Sequence, residues 1–198
     1  MTTKVRMCVA GITLAAVFGL ISMSGPSFAQ GKKEVDVAVK EIADELKKGD
    51  KAKANKLADQ AAKNLDEISD MMHLFRPRNK GGLGVGPIPL ANPAKDGIEV
   101  MIRDLARDVP GGIAKQAAGL EAMGYYIAAM GELANAAVGK APSGGKKTKK
   151  AWTEMSEDMR VLGLAFAKAS AAKGAQEIKT AAGRVNVNCN KCHSIFKE

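Results

Sequence analysis

An all-α fold is predicted by three features of this sequence. Aromatic residues are only 4% of its 198 residues while hydrophobic residues are 46%, a balance that suits packed helices better than a sandwich or barrel. Apolar residues recur at three- and four-residue intervals along most of the chain. Runs of glycine and proline fall between those stretches, where connections belong. With 26% charged residues the composition is globular rather than disordered.

The first 29 residues are set apart. Lys4 and Arg6 precede an apolar stretch from Met7 to Ser22, and Ser27-Phe28-Ala29 forms a small-x-small pattern before Gln30. This is the pattern of a secretory signal, with an uncleaved anchor as the alternative. The stretch is short for a membrane span. Residues 1–29 therefore read as a signal peptide, with Cys8 removed in it, and residues 30–198 as one periplasmic, exported domain. The segment carries two bases and no acid, so the net charge falls from +9 to +7 on its removal. A basic balance suggests acidic partners or solubility, and without aromatic interleaving it gives nucleic acid little support.

The elements follow in order. Val35, Val39, Ile42 and Leu46 predict a helix over 34–48, stopped by Gly49, with Asp50 capping the next one. Leu57, Ala61, Leu65, Ile68, Met72 and Phe75 extend a second helix over 51–75, ended by Pro77. Residues 76–97 carry no periodicity. This long connection includes a Gly-rich piece, 81–86, that fits neither a dinucleotide fingerprint nor a phosphate loop. It reads as a structural connection or as a loop around a cofactor edge, with Arg76, Arg78 and Lys80 as anion partners. A short helix is predicted at 98–107, and a long one at 113–138 after Pro110-Gly111-Gly112. The connection 140–150 holds five lysines. It reads first as a solvated loop and second as a docking site for an acidic partner. Thr148 caps a helix striped by Trp152, Met155, Met159, Leu162, Phe166 and Ala169. The last helix begins near Ala175, with Ile178, Ala181, Val185, Cys189, Cys192 and Phe196 on its inward face.

One motif carries specific chemistry. Cys189-Asn190-Lys191-Cys192-His193 is C-x-x-C-H, the attachment signature of c-type haem. Residues three apart share a helix face, so both sulfurs can reach the two vinyl groups of one porphyrin. His193, on the neighbouring line, can ligate the iron. A thioredoxin-type pair would sit at a helix start beside a strand. A zinc site would need about four ligands, and only His73 could join these three. A plain disulfide leaves the adjacent histidine unexplained.

With this motif near the C-terminus and helices across most of 50–198, the chain resembles the class II c-type cytochromes, the group of cytochrome c′ and the low-spin cytochromes c-556, as a divergent member. The tail Cys189-Asn190-Lys191-Cys192-His193-Ser194-Ile195-Phe196-Lys197 is similar to that group's ending. The resemblance implies one covalent haem c on Cys189 and Cys192, His193 as the proximal iron ligand, and a haem near one end of an antiparallel four-helix bundle, to which the helix at 34–48 is an additional N-terminal helix. The first bundle helix lacks the basic residue followed by Met or Leu that is usual in the group.

The distal ligand is read from supply. Met72, His73 and Met71 cluster in one turn, in that order of preference, against an open site covered by Leu57 or Leu65. In a simple up-down bundle the end of the second helix would lie far from the end of the last, but the connection of roughly 36 residues from 76 to 111 is long enough for a crossover that reverses this. The expected function is one-electron transfer by a periplasmic carrier with a redox partner protein, itself acidic in the favoured case. The alternative is a five-coordinate protein binding nitric oxide or carbon monoxide. No acid–base constellation suggests an enzyme, and no membrane span is expected after signal cleavage. Self-association as a homodimer is left open.

Overall fold

The computed structural model describes residues 28–196, with side-chain surroundings from residue 34 onward. The expected signal lies outside the described residues except for its last two, which open the first helix. The described residues are all-α and form no strand. The helices are α1 (Phe28–Lys48), α2 (Lys51–Asn64), α3 (Ile68–His73), α4 (Ile98–Arg107), α5 (Ala117–Ala136), α6 (Lys149–Ala171) and α7 (Ala175–Phe196). None of the described helices is long and apolar enough to cross a membrane.

Helix α5 is the hub. It packs on α1, α2 and α6, while α7 packs on α6 and α4. Leu120, Met123, Ile127, Met130 and Leu133 of α5 are fully buried, each contributing about 1.5–3 kcal/mol relative to exposure. The α5–α6 seam is closed by glycines. A Cβ on Gly163 would lie 2.5 Å from Ala128 N, one on Gly124 2.5 Å from Ala167 N, and one on Gly131 2.5 Å from Arg160 N. The two backbones are therefore in direct contact at three levels, with α6 antiparallel to α5. Across the same seam the buried Glu132 faces Arg160, with Nε 3.3 Å from Oε2.

The first two helices form the predicted hairpin. Gly49 turns with φ +81°, and Asp50 Oδ1 accepts from Lys53 N at 2.9 Å. The second helix is shorter than its periodicity predicts. It ends at Asn64, Leu65 takes an extended conformation, and a separate α3 starts at Ile68. The reason is long-range: the Lys140 ammonium, beyond the end of α5, donates to the carbonyls of Leu65 and Lys63. The break changes the register. Ala54, Ala58 and Ala62 form the buried face of α2, Leu57 is half-buried, and Met71 rather than Met72 is fully buried.

The connection 76–97 is an ordered knot. Asp96 is 2% exposed. It accepts from Arg78 Nε at 2.8 Å and from Val85 N at 2.8 Å, and Arg78 also donates to Gly86 O. Gly86, with φ +152°, lies against Gly119 near the start of α5, where a Cβ would meet Gly119 Cα at 2.7 Å. Arg78 is thus committed to closing the loop, which is the structural reading of that residue; Arg76 and Lys80 remain exposed. Glu99 N donates to Phe75 O at 3.0 Å, tying the first turn of α4 to the chain just beyond α3.

Two outcomes follow from this packing. Gly163→Ala improves helix propensity yet forces two backbones apart, so it should destabilise the fold by about 1–3 kcal/mol. Gly183→Ala in α7 meets nothing within 4 Å and should stabilise by about 0.5–1 kcal/mol. Urea unfolding of the two variants reads the opposite signs. Burial alone would raise the Asp96 carboxyl, but the Arg78 hydrogen bond and charge and the Val85 N–H outweigh it and hold it below its usual value. A depressed carboxyl stabilises fully above the unfolded value of about pH 4, and that stability is lost as pH falls through the folded value. Asp96→Asn should cost about 3 kcal/mol at neutral pH by leaving Arg78 without its partner. The gap to wild type should shrink as both are titrated below pH 4, which denaturation at a series of pH values measures.

Candidate functional site

Helix α7 runs antiparallel to α6, and two contacts fix its C-terminal end. Asn188 Nδ2 donates to Met155 O at 3.2 Å. The Phe196 ring meets Trp152 edge-on, with centroids 5.1 Å apart. Trp152 in turn donates from Nε1 to Ala134 O at 2.7 Å. The ends of α5 and α7 and the start of α6 therefore gather at one end of the molecule. Through Lys140 the end of α2 joins them. A simple up-down bundle would set the end of the second helix far from the end of the last one; here the long connection crosses over, so that α2 and α5 run in the same direction and the two ends fall together.

The C-x-x-C-H segment lies in the last two turns of α7 at this end. Cys192 is buried beside Phe196, Cys189 is half-buried, and His193 is exposed. At about 100° per residue, Cys189 and Cys192 flank one line of the helix, and His193 falls on the outer side of Cys189. Both thiols are free. Burial, aided by the neighbouring Cys192, pushes the Cys189 thiol up to about 11, and burial also raises Cys192. That is the reverse of a thioredoxin-type pair, which works through a lowered thiol pKa. Among the described residues no three ligating side chains converge as a metal would require, so the zinc reading loses its geometry. Haem c makes no such demand. It needs two reduced thiols one turn apart and an imidazole beside them, and this donor set fits.

The distal candidates lie on α3, which starts at Ile68, just past the end of α2. Met71 is in the core, and Met72 and His73 are half-buried at the end of α3. Helix α3 packs on α1, whereas α7 packs on α4 and α6. Helix α4, the short helix expected over 98–107, is the neighbour of α7. Its buried face carries Ile98, Ile102 and Leu105, with Met101 half-buried. Asn188 was also passed over. A polar residue within the buried stripe of α7 is the signal that could have marked it as an anchor.

The lysine-rich connection has its own structure. Gly144 N and Lys147 O bond at 3.3 Å and Lys147 N and Gly144 O at 2.9 Å, making a tight turn held just before α6. Thr148 Oγ1 accepts from Ala151 N at 3.1 Å as the expected cap. Comparison of the chain with protein-family models, with curated proteins and with solved structures gives no match in any of the three.

Proposed function

We propose that the protein is an exported c-type cytochrome that carries one covalent haem on Cys189 and Cys192 and transfers single electrons. The observation that carries this reading is the pair of free thiols one turn apart at the end of α7, with the exposed imidazole of His193 beside them. Bound there, the haem would supply reversible one-electron change at iron. The chain's own residues do the rest. Asn188, Phe196 and Trp152 hold the end of α7 against α6, so the two sulfurs are presented on a rigid element. The buried face around Cys192 excludes water from one side. His193, free of the core, can turn its ring toward an iron without disturbing the packing. Met72, His73 and Met71 remain the candidates for a sixth ligand, with Met72 first because its thioether is not locked in the core as that of Met71 is.

The apolar buried face of α4, the helix that packs on α7, favours a second reading, a five-coordinate haem open to nitric oxide or carbon monoxide. In that case the apolar neighbours of α7 would line the open face.

Coexpression with a haem-attachment apparatus decides the first point. The exported protein should have the mass of residues 30–198 plus one haem, colour should survive acid–acetone extraction, and Cys189→Ala with Cys192→Ala should abolish it. Trp152 is the chain's one tryptophan and meets edge-on the Phe196 ring, one turn from Cys192. Its fluorescence should therefore be strongly quenched in the loaded protein and recover in the double variant; a colourless, fluorescent wild type would refute the proposal. The spectrum separates carrier from gas binder. The carrier should show sharp split bands on reduction and little response to carbon monoxide, and Met72→Ala should make it high-spin and carbon-monoxide-reactive. A wild type that is already so would establish the open site.

A further inference from the structure

We infer that the end of the molecule carrying the C-x-x-C-H motif is the docking surface for an acidic protein partner, and that Lys146, Lys149, Lys150 and Lys191 are its charged contacts. The inference deepens the electron-transfer reading and rests on it for the identity of the partner as a redox protein.

Trp152 joins the two parts of this surface. Through its contact with Phe196, the start of α6 lies against the end of α7, so the lysines before and within the first turn of α6 share an end with Cys189, Cys192 and His193. All four named lysines are exposed. Lys150 has only a loose pair with Glu154, 3.9 Å away, and its side chain is 87% exposed. The turn closed by Gly144 and Lys147 fixes the backbone that presents Lys146, so little order is lost on docking. The first turn of α6 holds no acidic residue. The lysines therefore sit at the positive end of the helix dipole, where they work against helix stability and add to one another's potential. That arrangement is poor for folding and suited to attracting negative charge.

Of these lysines, Lys191 also lines a groove of about 520 Å³ between α6 and α7, together with Asp158, Val161, Arg184 and Val187. Val187 is 64% exposed and Val161 49%. Val161 lies about 16 Å along α6 from Lys150, so this patch flanks the charged end. A cluster of exposed lysines of this kind suits a short-lived, electrostatically steered encounter.

The test compares two charge reversals of equal size in the full exported chain. The first is Lys146→Glu, Lys149→Glu and Lys150→Glu. The second is Lys168→Glu, Lys173→Glu and Lys179→Glu, at the far end where α6 passes into α7. Both change the net charge equally, so only location differs. Two probes are read at low ionic strength, where screening is weak. Retention on immobilised poly-L-glutamate reads the surface with or without haem. Oxidation of the reduced protein by ferricyanide, an anionic acceptor, reads whether that surface adjoins the haem. The first triple should lose retention and slow oxidation at least about tenfold, while the second changes either far less. Equal losses in the two triples would overturn the inference. So would binding to phosphatidylglycerol vesicles that depends on the first triple while poly-L-glutamate retention does not, since that assigns the lysines to a membrane. A colourless protein whose retention still depends on the first triple would sustain the acidic docking surface and refute the redox reading, so the two failures are distinct.

Discussion

The contact between the backbones of α5 and α6 is the constraint from which the rest follows. Gly124, Gly131 and Gly163 remove the side chains that would keep the helices apart. The approach brings a long row of α5 side chains out of water, including Met123, Ile127 and Met130, and adds dispersion contacts that a wider seam would lose. Helix α6 becomes in effect an extension of the core. Everything attached to it inherits that rigidity: Asn188 reaches Met155 O, and Trp152 is held between the Ala134 carbonyl and the Phe196 ring. The cysteines of α7 are thus positioned by a seam to which they contribute nothing.

The helices that obey local rules were legible in the sequence. Helix α4 occupies the predicted residues, and Asp50 and Thr148 cap where cap chemistry says they should. What was not legible came from long-range partners. Leu65, Ile68, Met72 and Phe75 keep a helical period across a place where the helix stops, because the Lys140 ammonium, 75 residues from Leu65, takes the carbonyl there. Arg78 and Asp96 are separated by 18 residues of loop, and no pattern announces that one will bury the other. The long helix predicted from 113 starts its α-helical part at Ala117, after a tighter turn over Ile113–Gln116. At the motif, periodicity placed the cysteines toward the core and His193 on the adjoining line. The small angle between those lines is the difference between a buried thiol and an exposed imidazole.

The connection 76–97 shows how a segment that looks functional can be consumed by structure. Its arginine is oriented by a buried carboxylate, its glycines permit Gly82 to approach Arg76 O and Gly86 to approach Gly119, and Leu83 N donates to Leu74 O at 2.9 Å. A loop that must satisfy its own buried polar groups has little freedom to wrap another molecule. The positive charges left over for anions are Arg76 and Lys80, on its outer side.

The distal side of the proposed haem depends on what faces α7. Helix α4 packs on α7, and its buried residues Ile98, Ile102 and Leu105 are apolar. Glu99 N donates to Phe75 O, so the first turn of α4 is joined to the chain just past Met72 and His73. A sixth ligand from that turn would come from a segment tied to the helix beside the motif, whereas an open site would have the apolar side of α4 for a neighbour. The Arg78–Asp96 pair closes the loop between α3 and α4, so this flank is fixed by contacts that lie outside the motif.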